Sequence, residues 1–461
     1  MYLLEINLQS TALGIVMIVG VGIIVILILM KNPKENQTGL FEGRGAGKVA
    51  SKEENASFMD YINQGNTALS LFDYDKALEN YQAALKIKNS DPSVHFKIGR
   101  VFTQKEDYKN AISAFRNVLN LNPDMLEAHF ELARLFQAQM NFDMAHQELD
   151  HALQLKPEHE DSLKMKIKLL EQTQDYHQAL PYLRQLIEVT NSPTRYQAML
   201  ADYLTRLGEY EAAISEYASL IETDFGNRLE YQGKVGQAYF DQGEYGLSIE
   251  YFKMVLQEQN FIQDQEYLLH IKSQLAAAIC NEGVKHFQAG DFTTAISHYQ
   301  EALLYDNANP DIHYNLGKAL ARTHDVPKAL QHFGTAMALN PHDVGSCYEM
   351  ALLQDEKGMM EEAQANYERV LSIDSRHFDA AFGLGTLHGL QGNIDQAIHY
   401  LTLAISINPE DVDAIYNLGV ALERKKDYNK AIKMYKKVLS LDTLHEKARS
   451  NLAHIQQVKN Q

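Results

Sequence analysis

YNLGKALARTHDVPKALQHFGTAMALNP, residues 314–341, is the stretch on which the fold turns. Gly317 and Ala329 stand twelve apart, Phe333 follows four residues after the alanine, and Pro341 closes the stretch. Working outward in steps of 34 residues finds the same arrangement again. Ala77, Ala111, Ala145, Ala179 and Ala213 form one series, continued by Ser248 after 35 residues, and Ala295, Ala329, Ala363, Ala397 and Ala431 form a second. Twelve residues before each lies a glycine or alanine, from Gly65 and Gly99 through to Gly385 and Gly419, with Ile167 the one exception. Four residues after it a large side chain recurs, among them Tyr81, Phe115, Tyr217, Tyr299 and Tyr435. Pro123, Pro157, Pro341 and Pro409 close four of the units.

A helical hairpin accounts for each column. Two antiparallel helices approach closely only where side chains are small, so the Gly/Ala column marks their crossing. The alanine column leaves room for neighbours, and the aromatic one turn beyond is expected to fill the groove between stacked units. Proline cannot continue the second helix and ends it. Such a hairpin cannot bury its apolar face alone, which is why the units come in a long array. Ile167 is expected to splay the fourth hairpin.

These columns resemble the tetratricopeptide repeat family, and YNLGVALERKKDYNKAIKMYKKVL (Tyr416–Leu439) matches its pattern as closely as the stretch quoted first. The resemblance covers about residues 58–445. It implies an all-α, right-handed α-solenoid of about eleven tetratricopeptide-type helical hairpins, with repeats 1–6 over 58–260 and repeats 7–11 over 276–445. A capping helix is expected over 446–461. FIQDQEYLLHIKSQL (261–275) stretches one period to 47, and its apolar spacing predicts a helical insertion rather than a loop.

The N-terminal region follows a different physics. TALGIVMIVGVGIIVILILM (11–30) is twenty residues without a charge, which as a helix spans roughly 30 Å, the thickness of a bilayer's hydrocarbon core. It predicts one transmembrane helix preceding the repeats, with residues 1–10 translocated. Lys31, Lys34, Arg44, Lys48 and Lys52 follow it, so the repeats of this single-pass membrane chain are expected to face the cytoplasm. Residues 31–57, with Pro33 and four glycines, read as a flexible linker.

Composition narrows the chemistry. A formal net charge of −18, carried by the repeats, argues against nucleic acid as a partner, because phosphate binding requires clustered Lys and Arg. Two cysteines, Cys280 and Cys347, lack C-x-x-C spacing and read as core thiols. His95, His129 and His313 share one column of the first helix, where packing is the ordinary role. GRGAGK (Gly43–Lys48) has Glu42 and Val49 where a phosphate loop needs Gly and Ser/Thr. Once anchor, linker, repeats, insertion and cap are assigned, no stretch of about 100 residues remains for a catalytic domain. The chain therefore reads as no enzyme, with no catalytic, cofactor-binding or metal residues.

In the resembled family the stacked first helices line a concave face that takes extended peptides or partner helices. That implies a partner-binding column of Phe96, Phe130, Tyr314, Tyr348, Phe382 and Tyr416, aromatics able to cover apolar side chains. Beside it run Asn281, Asn315 and Asn417, amides able to read peptide groups. Lys97, Arg100 and Arg134 suggest a basic patch in repeats 2 and 3. Of the clamp by which some family members grip a chaperone's C-terminal carboxylate, only Asn66 has a match. The function expected is a membrane-anchored scaffold or adaptor binding proteins or peptides in this groove, chiefly through repeats 7–11. The alternative is a structural protein that self-assembles into a homo-oligomer through its repeats at the membrane.

Overall fold

The computed structural model describes residues 52–459. The expected segments 1–10 and 11–30, and most of the expected linker, lie outside the described residues. Residues 52–57, read from sequence as the end of that linker, are helical and open α1 (Lys52–Ser70). Among the described residues no helix is long and apolar enough to cross a membrane.

Every described element is helical. Repeats 1 to 6 comprise α1 and α2 (Tyr74–Ile87), α3 (Pro92–Gln104) and α4 (Tyr108–Leu121), α5 (Leu126–Ala138) and α6 (Phe142–Leu155), α7 (Glu160–Gln172) and α8 (Tyr176–Val189), α9 (Pro193–Arg206) and α10 (Tyr210–Thr223), and α11 (Arg228–Gln242) and α12 (Tyr245–Gln257). Repeats 7 to 11 comprise α13 (Gln265–Gln288) and α14 (Phe292–Tyr305), α15 (Pro310–Arg322) and α16 (Val326–Leu339), α17 (Val344–Glu356) and α18 (Met360–Ile373), α19 (Phe378–Gln391) and α20 (Ile394–Ile407), and α21 (Val412–Arg424) and α22 (Tyr428–Leu441). The chain ends in α23 (Glu446–Lys459). The described residues divide into two compact units, one ending at Val101 and the other beginning at Phe102.

The columns found in the sequence explain how each hairpin closes. A Cβ built on Gly317 would lie 2.8 Å from the Phe333 ring, and one on Gly419 would lie 2.7 Å from the ring of Tyr435. In the first unit Gly65 stands in the same relation to Tyr81. The aromatic therefore seats its ring on the small residue of its own hairpin, and in places it also reaches the next unit, as the Tyr367 ring does at Gly383 of repeat 10. Repeat 4 carries Ile167 in the small-residue column and Leu183 in the aromatic column, both buried in one core cluster. The alanine column, from Ala111 to Ala431, is wholly buried. Cores join successive repeats within the second unit, one cluster running from Leu153 to Val235, others from Phe252 to Leu353 and from Ala397 to Ile455.

The turn between paired helices is also uniform. One residue adopts a left-handed conformation, and the next amide returns to the helix just ended, as Asp325 N donates to Leu320 O at 2.9 Å. Asp107, Asn141, Asp175, Asp291, Asp325 and Asp427 then cap the second helix through their side chains. Glycine holds the left-handed position at 208, 243, 290, 358 and 392, but Met140 holds it at φ 57° with its side chain in solvent. Left-handed backbone is strained for a residue with a Cβ. Met140→Gly is accordingly expected to raise stability by about 0.5–1 kcal/mol, read by urea denaturation.

Repeat 7 departs from the rest. The first helices of repeats 2–6 and 8–11 run 13–15 residues, whereas α13 runs 24. Of the expected insertion, residues 265–275 form the opening turns of this helix, after a single 3₁₀ turn at Gln259–Phe261. Eleven additional residues amount to three turns and about 20°, so the same side of the helix faces the array roughly 16 Å further along. The opening turns bury Ile271 and Leu275 with Phe252 and Val255 of repeat 6, while Gly283 near the far end seats Tyr299 of repeat 7. Tyr267 donates its hydroxyl to Leu229 O at 3.1 Å, and burial, with the nearby Glu230 charge, pushes its pKa up to about 12.

Candidate functional site

The aromatic column lies half-buried on the first helices, and most of its rings close the seam to the following repeat. Tyr348 meets His377 with ring centroids 5.0 Å apart, Tyr416 meets His445 at 4.9 Å, and Phe130 meets His159 edge-on at 5.6 Å. Each of these histidines caps the next first helix, accepting from Ala380 N, Ala448 N and Ser162 N respectively. Tyr314 lies against Gly345 of repeat 9 and under the Lys318 ammonium, 5.1 Å from its ring. Phe382 stacks on Phe378 of its own helix at 6.0 Å.

The amides divide. Asn315 Nδ2 donates to Cys280 Sγ at 3.6 Å, joining repeat 8 to repeat 7. Asn417 borders a cavity of about 130 Å³ with Thr386, Leu390 and Arg424, and Asn281 is half-buried on α13. In the first unit Lys97 donates to Asn66 Oδ1 at 3.1 Å, the same oxygen that accepts from Tyr81, while Arg100 is exposed. In the second unit Arg134 pairs with Glu131 at 2.9 Å and borders a cavity of about 600 Å³ whose wall includes Lys168 and the turn residue Met140. The expected basic patch is thus partly neutralised by its own helices.

The histidine column is a clasp for the loop before each first helix. His95, His129 and His313 each turn Nε2 to the carbonyl six residues earlier, on Asn89, Pro123 and Asn307, at 3.4, 3.0 and 3.1 Å. His129 Nδ1 faces Glu148 at 2.7 Å. Burial alone would lower its pKa, but with acceptors at both nitrogens the imidazolium is favoured and the pKa is raised. Both cysteines are buried, and burial pushes the thiols up, Cys280 to about 11. Protonated at neutral pH, they fit packing rather than nucleophilic attack.

A further opening borders side chains that the sequence columns did not single out. A cavity of about 730 Å³ spans three consecutive first helices, lined by Glu171 of α7, Arg195, Met199, Asp202 and Arg206 of α9, and Lys234 of α11. Lys234 bridges the helices by donating to Asp202 at 2.7 Å, and the Tyr217 hydroxyl donates to the same carboxylate. Arg206 donates to the Tyr176 hydroxyl at 2.7 Å. Among the described residues neither Arg195 nor Arg206 forms an ion pair, so two guanidinium groups face the opening with Met199 between them in sequence. Asp224 and Glu230 also border the opening, so its charged lining is mixed, and within it the two arginines suit a carboxylate and Met199 an apolar group.

Comparison with known proteins agrees with the repeat geometry. Family models described as TPR repeat or tetratricopeptide repeat match residues 65–105 and 283–323, 102–169, 164–228, 199–261, 310–343, 344–377, 378–411 and 412–442. The chain belongs to the tetratricopeptide repeat family. It is similar to a TPR repeat-containing protein of Methanocaldococcus jannaschii, 24% identical over 203 residues that cover 43% of this chain and 34% of that one. Superkiller complex protein 3 of Mus musculus is 28% identical over 137 residues, 27% of this chain and 9% of that one. The chain therefore spans only a minor part of the length of either relative. A solved structure of Naa15/Naa10 bound to HypK-THB is 16% identical at a TM-score of 0.45, covering 89% of this chain and 66% of that one.

Proposed function

We propose that this chain is a membrane-anchored scaffold or adaptor, held at a bilayer by residues 11–30 with its repeats on the cytoplasmic side, and that partner proteins or peptides lie along its first-helix face. The observation that carries the binding reading is the cavity shared by α7, α9 and α11, which is long enough to cross three repeats and is bordered by two guanidinium groups that form no ion pair among the described residues. An extended segment with an acidic side chain near an apolar one fits it: carboxylate to Arg195 and Arg206, apolar group to Met199. Twenty charge-free residues followed by five Lys and Arg support the anchor and its orientation. The seam aromatics of repeats 8 to 11 contribute edges to the same face.

A photoactivatable residue in place of Met199, in the full chain, tests this in cells. Cross-linked partners are expected, and adding Arg195→Gln with Arg206→Gln is expected to lower their yield at least about tenfold, since a charge-assisted hydrogen bond contributes roughly 1.5–3 kcal/mol. An unchanged yield at unchanged stability would exclude this cavity. Adducts only to a second copy of the chain would favour self-assembly through the repeats.

A further inference from the structure

The last repeat and the cap depart from the rest of the chain in charge. Residues 424–459 hold ten Lys and Arg against three Asp and Glu, a net +7, so that with −18 overall the remainder carries −25. The excess is concentrated on one side of α22. Its buried side presents Ala431, Tyr435 and Val438 to the core, and the opposite side presents the exposed Lys430, Lys433 and Lys436, with Lys437 half-buried at its margin. Lys430 is held by Asp427 at 3.1 Å and Lys425 by Asp395 at 2.6 Å. Lys433, Lys436 and Lys437 form no ion pair among the described residues. Repeat packing does not require them: the same positions one repeat earlier are His399, Thr402 and Leu403, and two repeats earlier Ala365, Glu368 and Arg369.

Where the lysines stop, the surface becomes apolar. Leu441 lies one turn beyond Lys437 and is 42% exposed, and Leu444, in the turn before α23, is 78% exposed. We infer that this face of α22 with Leu441 and Leu444 docks on an anionic lipid bilayer surface. Four lysines on one helix face match a diffuse layer of headgroup charge, for which a hydrated point charge on a flexible stem is better suited than a bidentate guanidinium. Two exposed leucines at the end of the stripe supply side chains that enter the headgroup region. An extended acidic peptide fits less well, because the lysines stand on the outer side of a second helix, away from the cavities of the first-helix face. The inference stands apart from the N-terminal anchor, since it rests on α22 alone.

The full chain, purified in detergent and mixed with vesicles during detergent removal, provides the test. Vesicles of phosphatidylcholine alone are compared with vesicles containing about one third phosphatidylserine, and lysine acylation is read by mass spectrometry with Lys328 as internal reference. In anionic vesicles acylation of Lys433 and Lys436 is expected to fall at least about fivefold relative to Lys328, and to recover at 0.5 M salt. Equal acylation in both vesicle types overturns the inference, and so does protection by soluble polyglutamate without protection by vesicles, which would assign the face to an acidic protein. Flotation separates the two membrane readings: failure to float with neutral vesicles counts against the anchor alone. Should the chain float only with anionic vesicles, Lys433→Gln with Lys436→Gln and Lys437→Gln is expected to abolish that flotation, and its persistence overturns the role of α22.

Discussion

Phe333→Ala is expected to destabilise repeat 8 by about 3–5 kcal/mol, the range for removing a buried aromatic from a core that cannot collapse around the loss. Phe333 is wholly buried with its ring against Gly317. Gly317 and Ala329, one turn earlier, are too small to refill the space, and the larger neighbours Leu316 and Leu353 are already held in the same core. Repeat arrays lose structure locally, so a single midpoint understates such a change. Hydrogen exchange of residues 310–339 reads it directly, and opening there should rise by two to three orders of magnitude for about 3–4 kcal/mol. Unaltered exchange would mean that the ring is not the element that closes the hairpin.

Gly317→Leu attacks the same contact from the other side. A Cβ at that position would lie 2.8 Å from two atoms of the Phe333 ring, closer than side chains tolerate, and three more carbons must then find room between two backbones. Overpacking of this kind typically destabilises by about 1–3 kcal/mol, and the closeness of the approach places this case at the upper end. Combined with Phe333→Ala the two changes should offset, since the leucine enters the volume that the ring vacates. A double-mutant cycle should therefore show coupling of at least about 1 kcal/mol. Additive losses would indicate that the crossing is set by residues other than this pair.

That pair also shows what the sequence made legible. The 34-residue recurrence of Gly or Ala, then Ala, then a ring is sufficient to locate paired helices, because each of those residues is required by a contact repeated in every unit. Recurrence identifies a column but not what the column touches. For that reason the column alone places the ring between units, whereas Phe333 sits on its own hairpin's glycine and Tyr367 meets a glycine of the next unit. The groove aromatics show the same ambiguity: Tyr348 and Tyr416 are at the margin between open face and inter-repeat seam, and the capping residues His377 and His445 draw them into the seam. The cavity over α7, α9 and α11 was missed for the opposite reason. Met199 and Lys234 recur as Met165 and Lys97, whereas Arg195 and Asp202 have no like-charged counterpart in any other repeat, so recurrence alone does not bring the four together. Specificity resides where the columns differ. The helical start at Lys52 was hidden by composition, since the Lys and Glu that open α1 resemble the linker before it.

The long helix α13 has a consequence for how the array holds together. In a solenoid each unit touches only its neighbours, so the chain can part at whichever junction is weakest, and distant segments melt separately. Between repeats 6 and 7 the junction is larger. The opening turns of α13 add Ile271 and Leu275 to the core that holds Phe252 and Val255 of repeat 6 together with Tyr299 of repeat 7, so parting the chain there exposes that apolar surface as well. The place where the period fails therefore acts as a reinforced joint, and fraying that begins at one end meets there a barrier set by added burial.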